Sequence, residues 1–239
     1  MTGTLYMIPV ELGETETERY IPPYNLSVMD RLEVFVVENA RTARQYLRKL
    51  FKDKDLNSLN IYEVDKHEGY KYPKEEVFNC LRRGIDVGFM SEAGCPGVAD
   101  PGAKVVEDCH KGGFRIEPLV GPSSILLGLM ASGFSGQSFK FRGYLPFDKE
   151  KRKNAFKDIA LKSEKYSETQ IFIEAPYRND TLLKELSEAL PPTLSICLCV
   201  ELTTPKEEII RKTAREWKAL IAEKKLSFHK RPAIFLVGK

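Results

Sequence analysis

The 239-residue chain has no apolar run near the roughly 18 residues that a membrane-spanning helix needs. Nor does its N-terminus carry a basic stretch leading into an apolar core and a cleavage site. Both absences argue against a spanning or secreted protein, so the expectation is a cytoplasmic one with no membrane partner. Cysteine is sparse and unpatterned: the five, at 80, 95, 109, 197 and 199, form no C-x-x-C pair and are odd in number. That excludes an obvious disulfide frame and reads as reduced thiols in a cytosol. Cys197 and Cys199 share one face of an apolar strand with no histidine nearby, which reads as core packing, and no metal site is expected. A strong charge of one sign is also missing, because a net +3 is too small to assert a nucleic-acid partner without clustering. Finally, no G-x-G-x-x-G follows the first strand and no G-x-x-x-x-G-K-[ST] occurs anywhere, which sets aside a dinucleotide oxidoreductase and a P-loop NTPase.

What is present is an α/β pattern long enough for two packed units. The first half reads as a strand over 5–10, a polar insertion over 11–24, and a second buried strand over 31–37. A helix follows from 38 or 39 to about 51, then a short strand near 59–64 and a helix over 74–83 stopped by Gly84. A strand over 85–90, a helix over 104–110 and a strand over 114–120 complete it. The second half reads as a helix over 123–132 rich in small residues, a strand over 139–144, and a charged helix to about 163. It continues with a strand over 170–174, a helix over 180–190, a strand over 195–200, a stretch around 207–211, a helix over 213–224 and a strand over 233–237. The expected domains are 1–118, carrying the acceptor side and the loop described next, and 119–239, completing the ligand site.

The most informative stretch is residues 91–102, Ser-Glu-Ala-Gly-Cys-Pro-Gly-Val-Ala-Asp-Pro-Gly. Glycines at 94, 97 and 102 permit positive φ and close ligand approach, while Pro96 and Pro101 stiffen the chain. Following an apolar strand, the loop belongs at a carboxyl end, where open α/β sheets bind ligands. A tight αβ connection that is merely rich in Gly and Pro is the competing reading.

This loop resembles the S-D-A-G-T-P-G-I-S-D-P-G loop of the small-subunit ribosomal RNA 2′-O-methyltransferase I family, within the tetrapyrrole (corrin/porphyrin) methylase superfamily. Similar blocks follow in the same order. Val120-Gly121-Pro122-Ser123-Ser124 resembles a P-G-P-S segment, Ala131-Ser132-Gly133 an A-S-G, and residues 141–146 an F-x-G-F-L-P. Residues 173–178 resemble E-S-P-H-R, and Val200-Glu201-Leu202-Thr203 resembles R-E-L-T. The resemblance implies two α/β domains with S-adenosylmethionine in a cleft between them, usually in a homodimer. It implies that Ser91, Glu92, Gly94, Cys95, Gly97 and Val98 face the cofactor with Ser123 and Ser124, joined by Glu174, Ala175 and Thr203. Two blocks depart from the family: T-P-I-G-N-L is replaced by residues 8–13, Ile-Pro-Val-Glu-Leu-Gly, and E-D-T-R-x-T reads Glu38-Asn39-Ala40-Arg41-Thr42-Ala43. A carboxylate and two hydroxyls are thereby absent from the half that would hold the methyl acceptor.

Methyl transfer to a hydroxyl needs in-line alignment, exclusion of water and a group that takes the proton. Glu38 and His67 are the candidates, with His67 equally readable as a surface residue among charges. Arg41, Arg44 and Arg48 recur on one helical face, with Lys52 continuing the stripe. A second basic cluster spans 140–157 and includes Lys151, Arg152 and Lys153, interleaved with Phe141, Tyr144 and Phe147. Cations would neutralise phosphates and rings would stack on bases, or both sets are solvated faces beside core aromatics. The reading is an S-adenosylmethionine-dependent methyltransferase acting on ribosomal RNA. A methylase of tetrapyrrole-like metabolites, and a cofactor- or RNA-binding module without catalysis, remain alternatives.

Overall fold

The computed structural model describes residues 2–65, 69–223 and 226–239, and the chain divides into two compact units, Met1–Ser123 and Ser124–Lys239. Unit 1 runs β1 (Thr4–Ile8), α1 (Pro23–Arg31), β2 (Val34–Val37), α2 (Ala40–Leu50), β3 (Asn60–Glu63), α3 (Lys74–Arg82), β4 (Val87–Met90), α4 (Gly102–Lys111) and β5 (Arg115–Pro118). Its strands pair in the order β3-β2-β4-β1-β5, all in parallel. The residues of β1, β2 and β4 are all buried, as expected of a parallel sheet covered on both faces. Alternate side chains supply two cores, one around Ile8, Met29, Phe35 and Leu47, the other around Leu5, Val36, Phe89 and Val105.

The α/β class read from the sequence holds, with one local correction. Residues 31–33 do not extend β2, because a helix, α1, occupies the end of the presumed polar insertion. Pro23 stands at its first position, where a missing N–H and a fixed φ suit a helix start. Downstream, Asn39 caps α2 by accepting from the backbone N–H groups of Arg41 and Thr42.

Unit 2 contains α5 (Ser124–Ser132), β6 (Phe139–Tyr144), α6 (Lys149–Tyr166), β7 (Thr169–Ile173), α7 (Asn179–Ala189), β8 (Ser195–Val200), β9 (Glu208–Thr213), α8 (Ala214–Ala222) and β10 (Ala233–Gly238). Its sheet runs β6-β7-β10-β8-β9; β6 and β7 are parallel and the other pairs antiparallel. Trp217 anchors the core, fully buried, with Nε1 donating to the Ile196 carbonyl at 2.9 Å. The small residues of α5 let it lie close on this sheet: a Cβ on Gly128 would stand 3.1 Å from Ile234 and 3.2 Å from Leu236. Cys197 and Cys199 are buried in the same interior with their sulfurs 3.9 Å apart. Among the described residues no helix is long and apolar enough to cross a membrane, and no group of three or more metal-ligating side chains gathers.

Asp108 of α4 ties unit 1 laterally. Its buried carboxylate accepts from Lys104 at 2.7 Å, Lys74 at 3.1 Å and Tyr72 at 3.2 Å. Burial pushes this carboxyl up, but the two ammonium groups outweigh it and hold the pKa below the usual value. A carboxyl depressed in the folded state adds stability above its unfolded pKa and loses it as pH falls through the folded value. Asp108→Asn should therefore lower urea stability near neutral pH by about 1 to 2 kcal/mol. The difference from the parent should shrink as pH falls below the unfolded carboxyl pKa and through the lower folded-state value.

Candidate functional site

Four segments leave the carboxyl ends of neighbouring strands in unit 1: Glu38 after β2, the 91–102 loop after β4, residues 9–13 after β1, and 119–123 after β5. Gly94 and Val10 exchange two backbone hydrogen bonds, each 3.0 Å. Glu38 Oε2 accepts from the Glu92 N–H at 2.9 Å, and the Cys95 thiol lies 3.3 Å from the Pro122 carbonyl and 3.5 Å from that of Gly121. Burial pushes the Cys95 thiol above its ordinary pKa, so it stays protonated near neutral pH and serves as a donor. From α1, the buried Asn25 donates to the Val120 carbonyl at 2.7 Å.

Inside the loop, Asp100 is the clamp. Its two oxygens accept from Gly97 N–H at 2.8 and 3.0 Å, and Oδ1 also takes Gly102 N–H at 2.7 Å. Gly94 and Gly97 have φ of 70° and 84°, where side chains are disfavoured. Gly102 does not share this conformation, contrary to the expectation from sequence; it is glycine for space, since a Cβ would fall 2.6 Å from the Phe89 ring. The result is a turn of fixed shape, its Gly94, Gly97 and Gly102 N–H groups held by Val10 and Asp100.

Unit 2 has its own gathering of carboxyl ends. Ile173 of β7 and Cys199 of β8 both register with Ile234 of β10, and Tyr144 of β6 registers with Ile173, so β6, β7 and β8 end on the same side of the sheet. Beyond β7, the buried Glu174 takes the Ala175 N–H on Oε1 at 2.8 Å, while Oε2 has no hydrogen-bond partner among the described residues. It lies 3.6 Å from Arg178 Nε. Beyond β8, Thr203 sits at φ 72°, strained for a β-branched residue, with a buried Oγ1 also lacking a partner there. Glu207 holds its N–H at 2.7 Å. Glu174 Oε2 has the Arg178 charge beside it, whereas a buried hydroxyl such as that of Thr203 is costly unless something else completes it.

Residues 17–218 match the family model for tetrapyrrole (corrin/porphyrin) methylases. The ribosomal RNA small subunit methyltransferase I of Vibrio cholerae is 30% identical over 219 residues, covering 92% of this chain and 72% of the relative. Its counterpart in Bacillus subtilis is 30% identical over 220 residues, with 90% and 68% covered. The chain belongs to the tetrapyrrole methylase family. Within it, the relatives place the chain in the branch named ribosomal RNA small subunit methyltransferase I, so it is a methyltransferase. Crystal structures of the methyltransferase CobJ (TM-score 0.63, 16% identity, 100% of this chain and 95% of that one) and of uroporphyrin-III-C-methyltransferase from Thermus thermophilus (0.57, 19%, 100% and 93%) share its fold.

For this tetrapyrrole methylase, the structure distributes the residues singled out from sequence as follows. Ser91, Glu92, Gly94, Cys95, Gly97 and Val98 all lie on the clasped loop of unit 1 and Ser123 ends that unit; Ser124 opens α5. Glu174, Ala175 and Thr203 lie at the strand ends of unit 2. Arg41, Arg44 and Arg48 are exposed on α2, opposite the buried Ala43, Tyr46 and Leu47; the helix stops at Leu50, before Lys52. Lys151 and Lys153 are exposed on α6. Arg152 differs from its neighbours. It is buried, paired with Glu185 at 2.7 and 2.9 Å and bonded to the carbonyls of Pro146 and Phe147, which leaves it bracing the chain where a phosphate contact was expected. His67 lies outside the described residues. Asp100, missed from sequence, carried a signal in its Asp-Pro-Gly triplet, a strong turn former whose side chain bonds its own backbone.

Because the clamp is one carboxylate, Asp100→Ala should leave the N–H groups of Gly97 and Gly102 without their acceptor and destabilise unit 1 by about 1 to 3 kcal/mol. Chemical denaturation measures this directly. Hydrogen exchange should show the loss concentrated in residues 94–102.

Proposed function

We propose that this methyltransferase moves a methyl group from S-adenosylmethionine to a ribose 2′-hydroxyl of ribosomal RNA. The fit of the donor rests on two features already described: the glycine turn at 94–97, held rigid by Val10 and Asp100, and the buried Thr203 Oγ1, which has no partner among the described residues. When bound, S-adenosylmethionine supplies a sulfonium methyl carbon for in-line displacement. Residues 91–98, Ser123 and Ser124 bind it, with Glu92 offering a carboxylate to a cationic ligand, and Glu174, Ala175 and Thr203 add contacts from unit 2. Glu38, one residue beyond β2, takes the hydroxyl proton while its other task, holding the Glu92 N–H, keeps it at the loop. The observation that carries the RNA reading is the exposed Arg41, Arg44, Arg48 stripe on α2, the helix that begins two residues after Glu38. Lys151 and Lys153 extend phosphate contact from unit 2. The protein works in the cytoplasm and as a homodimer, the second copy being supported by Leu126 and Met130 of α5, 53% and 79% exposed, as an apolar face for it.

Four measurements test this. Calorimetry with Gly94→Val should show donor affinity lost in a folded protein, since a branched side chain is strained at φ 70° and a Cβ there already approaches Leu12 at 3.1 Å; unchanged affinity removes the loop from the donor site. Glu38→Gln keeps an oxygen for the Glu92 N–H but accepts no proton, so kcat should fall about 100-fold or more with little change in donor affinity. Incubation with radiolabelled donor and unmethylated small ribosomal subunits should place label in RNA. Binding should weaken with salt, and each arginine of the stripe changed to alanine should flatten the log–log slope by about 0.7 to 0.9. Label found in a tetrapyrrole fraction instead, with salt-independent binding, would overturn the RNA assignment.

A further inference from the structure

The geometry points to a base-stacking platform on unit 2, built on Phe147 and flanked by Tyr144 and Tyr177, that receives an unpaired nucleotide of the RNA; it rests on the RNA reading above. Phe147 is 79% exposed, and a single exposed aromatic needs no explanation by itself. Its mounting does. The carbonyl of Phe147 accepts from Arg152 Nη1 at 2.9 Å, and Arg152 is itself buried and locked by both oxygens of Glu185. The next residue, Asp148, caps α6 by accepting from the Lys151 N–H at 2.9 Å. The Arg178 guanidinium covers one ring face, its central carbon 4.3 Å from the centroid. A ring fixed at its backbone and backed on one face by a cation, yet exposed elsewhere, is held ready for something flat.

Two more exposed rings stand at the same strand ends. Tyr144, 64% exposed, closes β6 opposite Ile173, and Tyr177, 61% exposed, directly precedes Arg178. Lys149 and Lys151, both exposed, open α6 just beyond Phe147. Rings alone would suit an apolar protein face. Rings beside unburied ammonium groups suit a nucleotide, whose base offers a π-face and whose phosphate offers a negative charge. A base on the open face of Phe147 completes a cation–ring–base stack with Arg178. Arg178 in turn reaches to within 3.6 Å of Glu174, which ties the platform to a residue assigned to the donor.

The test uses the full chain and a short single-stranded RNA carrying one 2-aminopurine, whose fluorescence falls on stacking. The parent protein should quench the probe. Phe147→Ala should weaken RNA binding by about 5- to 150-fold, the range for one lost base–aromatic stack, and should abolish the quench. It should leave the slope of log affinity against log salt unchanged, because no phosphate contact is removed, and should leave calorimetric donor affinity unchanged. Phe147→Trp should restore both binding and quench, which a purely structural role of the ring would not produce. A folded Phe147→Ala protein that binds and quenches like the parent overturns the platform while the RNA reading stands. A parent that binds no RNA overturns both. Light scattering that shows Phe147→Ala splitting a dimer assigns the face to a second copy and overturns the proposal.

Discussion

The two hydrogen bonds exchanged between Val10 and Gly94 join segments that lie far apart in sequence, and the loop of unit 1 depends on them. They form only because β1 and β4 are parallel neighbours, so that both chains emerge side by side at the same end of the sheet. Each bond contributes about 1 kcal/mol net. Together with the Glu38, Asp100 and Cys95 contacts they turn a twelve-residue connection, which as a free loop would sample many conformations, into a turn with one geometry. The glycines and prolines limit what the loop can be; the parallel sheet decides which of those forms it takes.

Unit 2 reaches a similar end by ionic bracing. The β8–β9 turn contains Glu201 and Thr203 at φ 48° and 72°, a conformation that costs of order 1–3 kcal/mol in non-glycine residues. Arg231 opposes that cost by donating to Glu201 and Glu208 and to the Lys206 carbonyl, and Glu207 holds the Thr203 N–H. On the other side of β10, Arg178 spans Glu174 and Phe147. Arginine suits both places because its planar fork bonds several acceptors at once and also stacks on a ring, whereas lysine offers a single point of charge.

Much of this was legible in the sequence, and the exceptions have separate physical causes. Buried strands read correctly because runs such as Val34 to Val37 are apolar throughout, and the 91–102 loop read correctly because glycine and proline restrict backbone locally. Arg152 reads as part of a basic surface because its sequence neighbours are charged. Its partner, Glu185, lies 33 positions away, and only folding brings it near. The helix α1 was missed since its start is marked by a proline pair, which equally marks a turn. Asp100 was overlooked because a clamp acts on its own loop and resembles ordinary turn chemistry.

The position of β10 has a consequence for the newly made chain. It lies between β7 and β8, so those two strands cannot join through their proper neighbour until residues 233–238 have left the ribosome. Every strand of the unit 1 sheet, by contrast, has been synthesised by residue 118. During translation the molecule therefore passes through a stage in which a finished first unit trails two apolar strands with open edges, a configuration prone to wrong pairing. The vulnerable interval closes with the last strand, so substitutions that slow the pairing of β10 act on yield in the cell before they act on the folded protein.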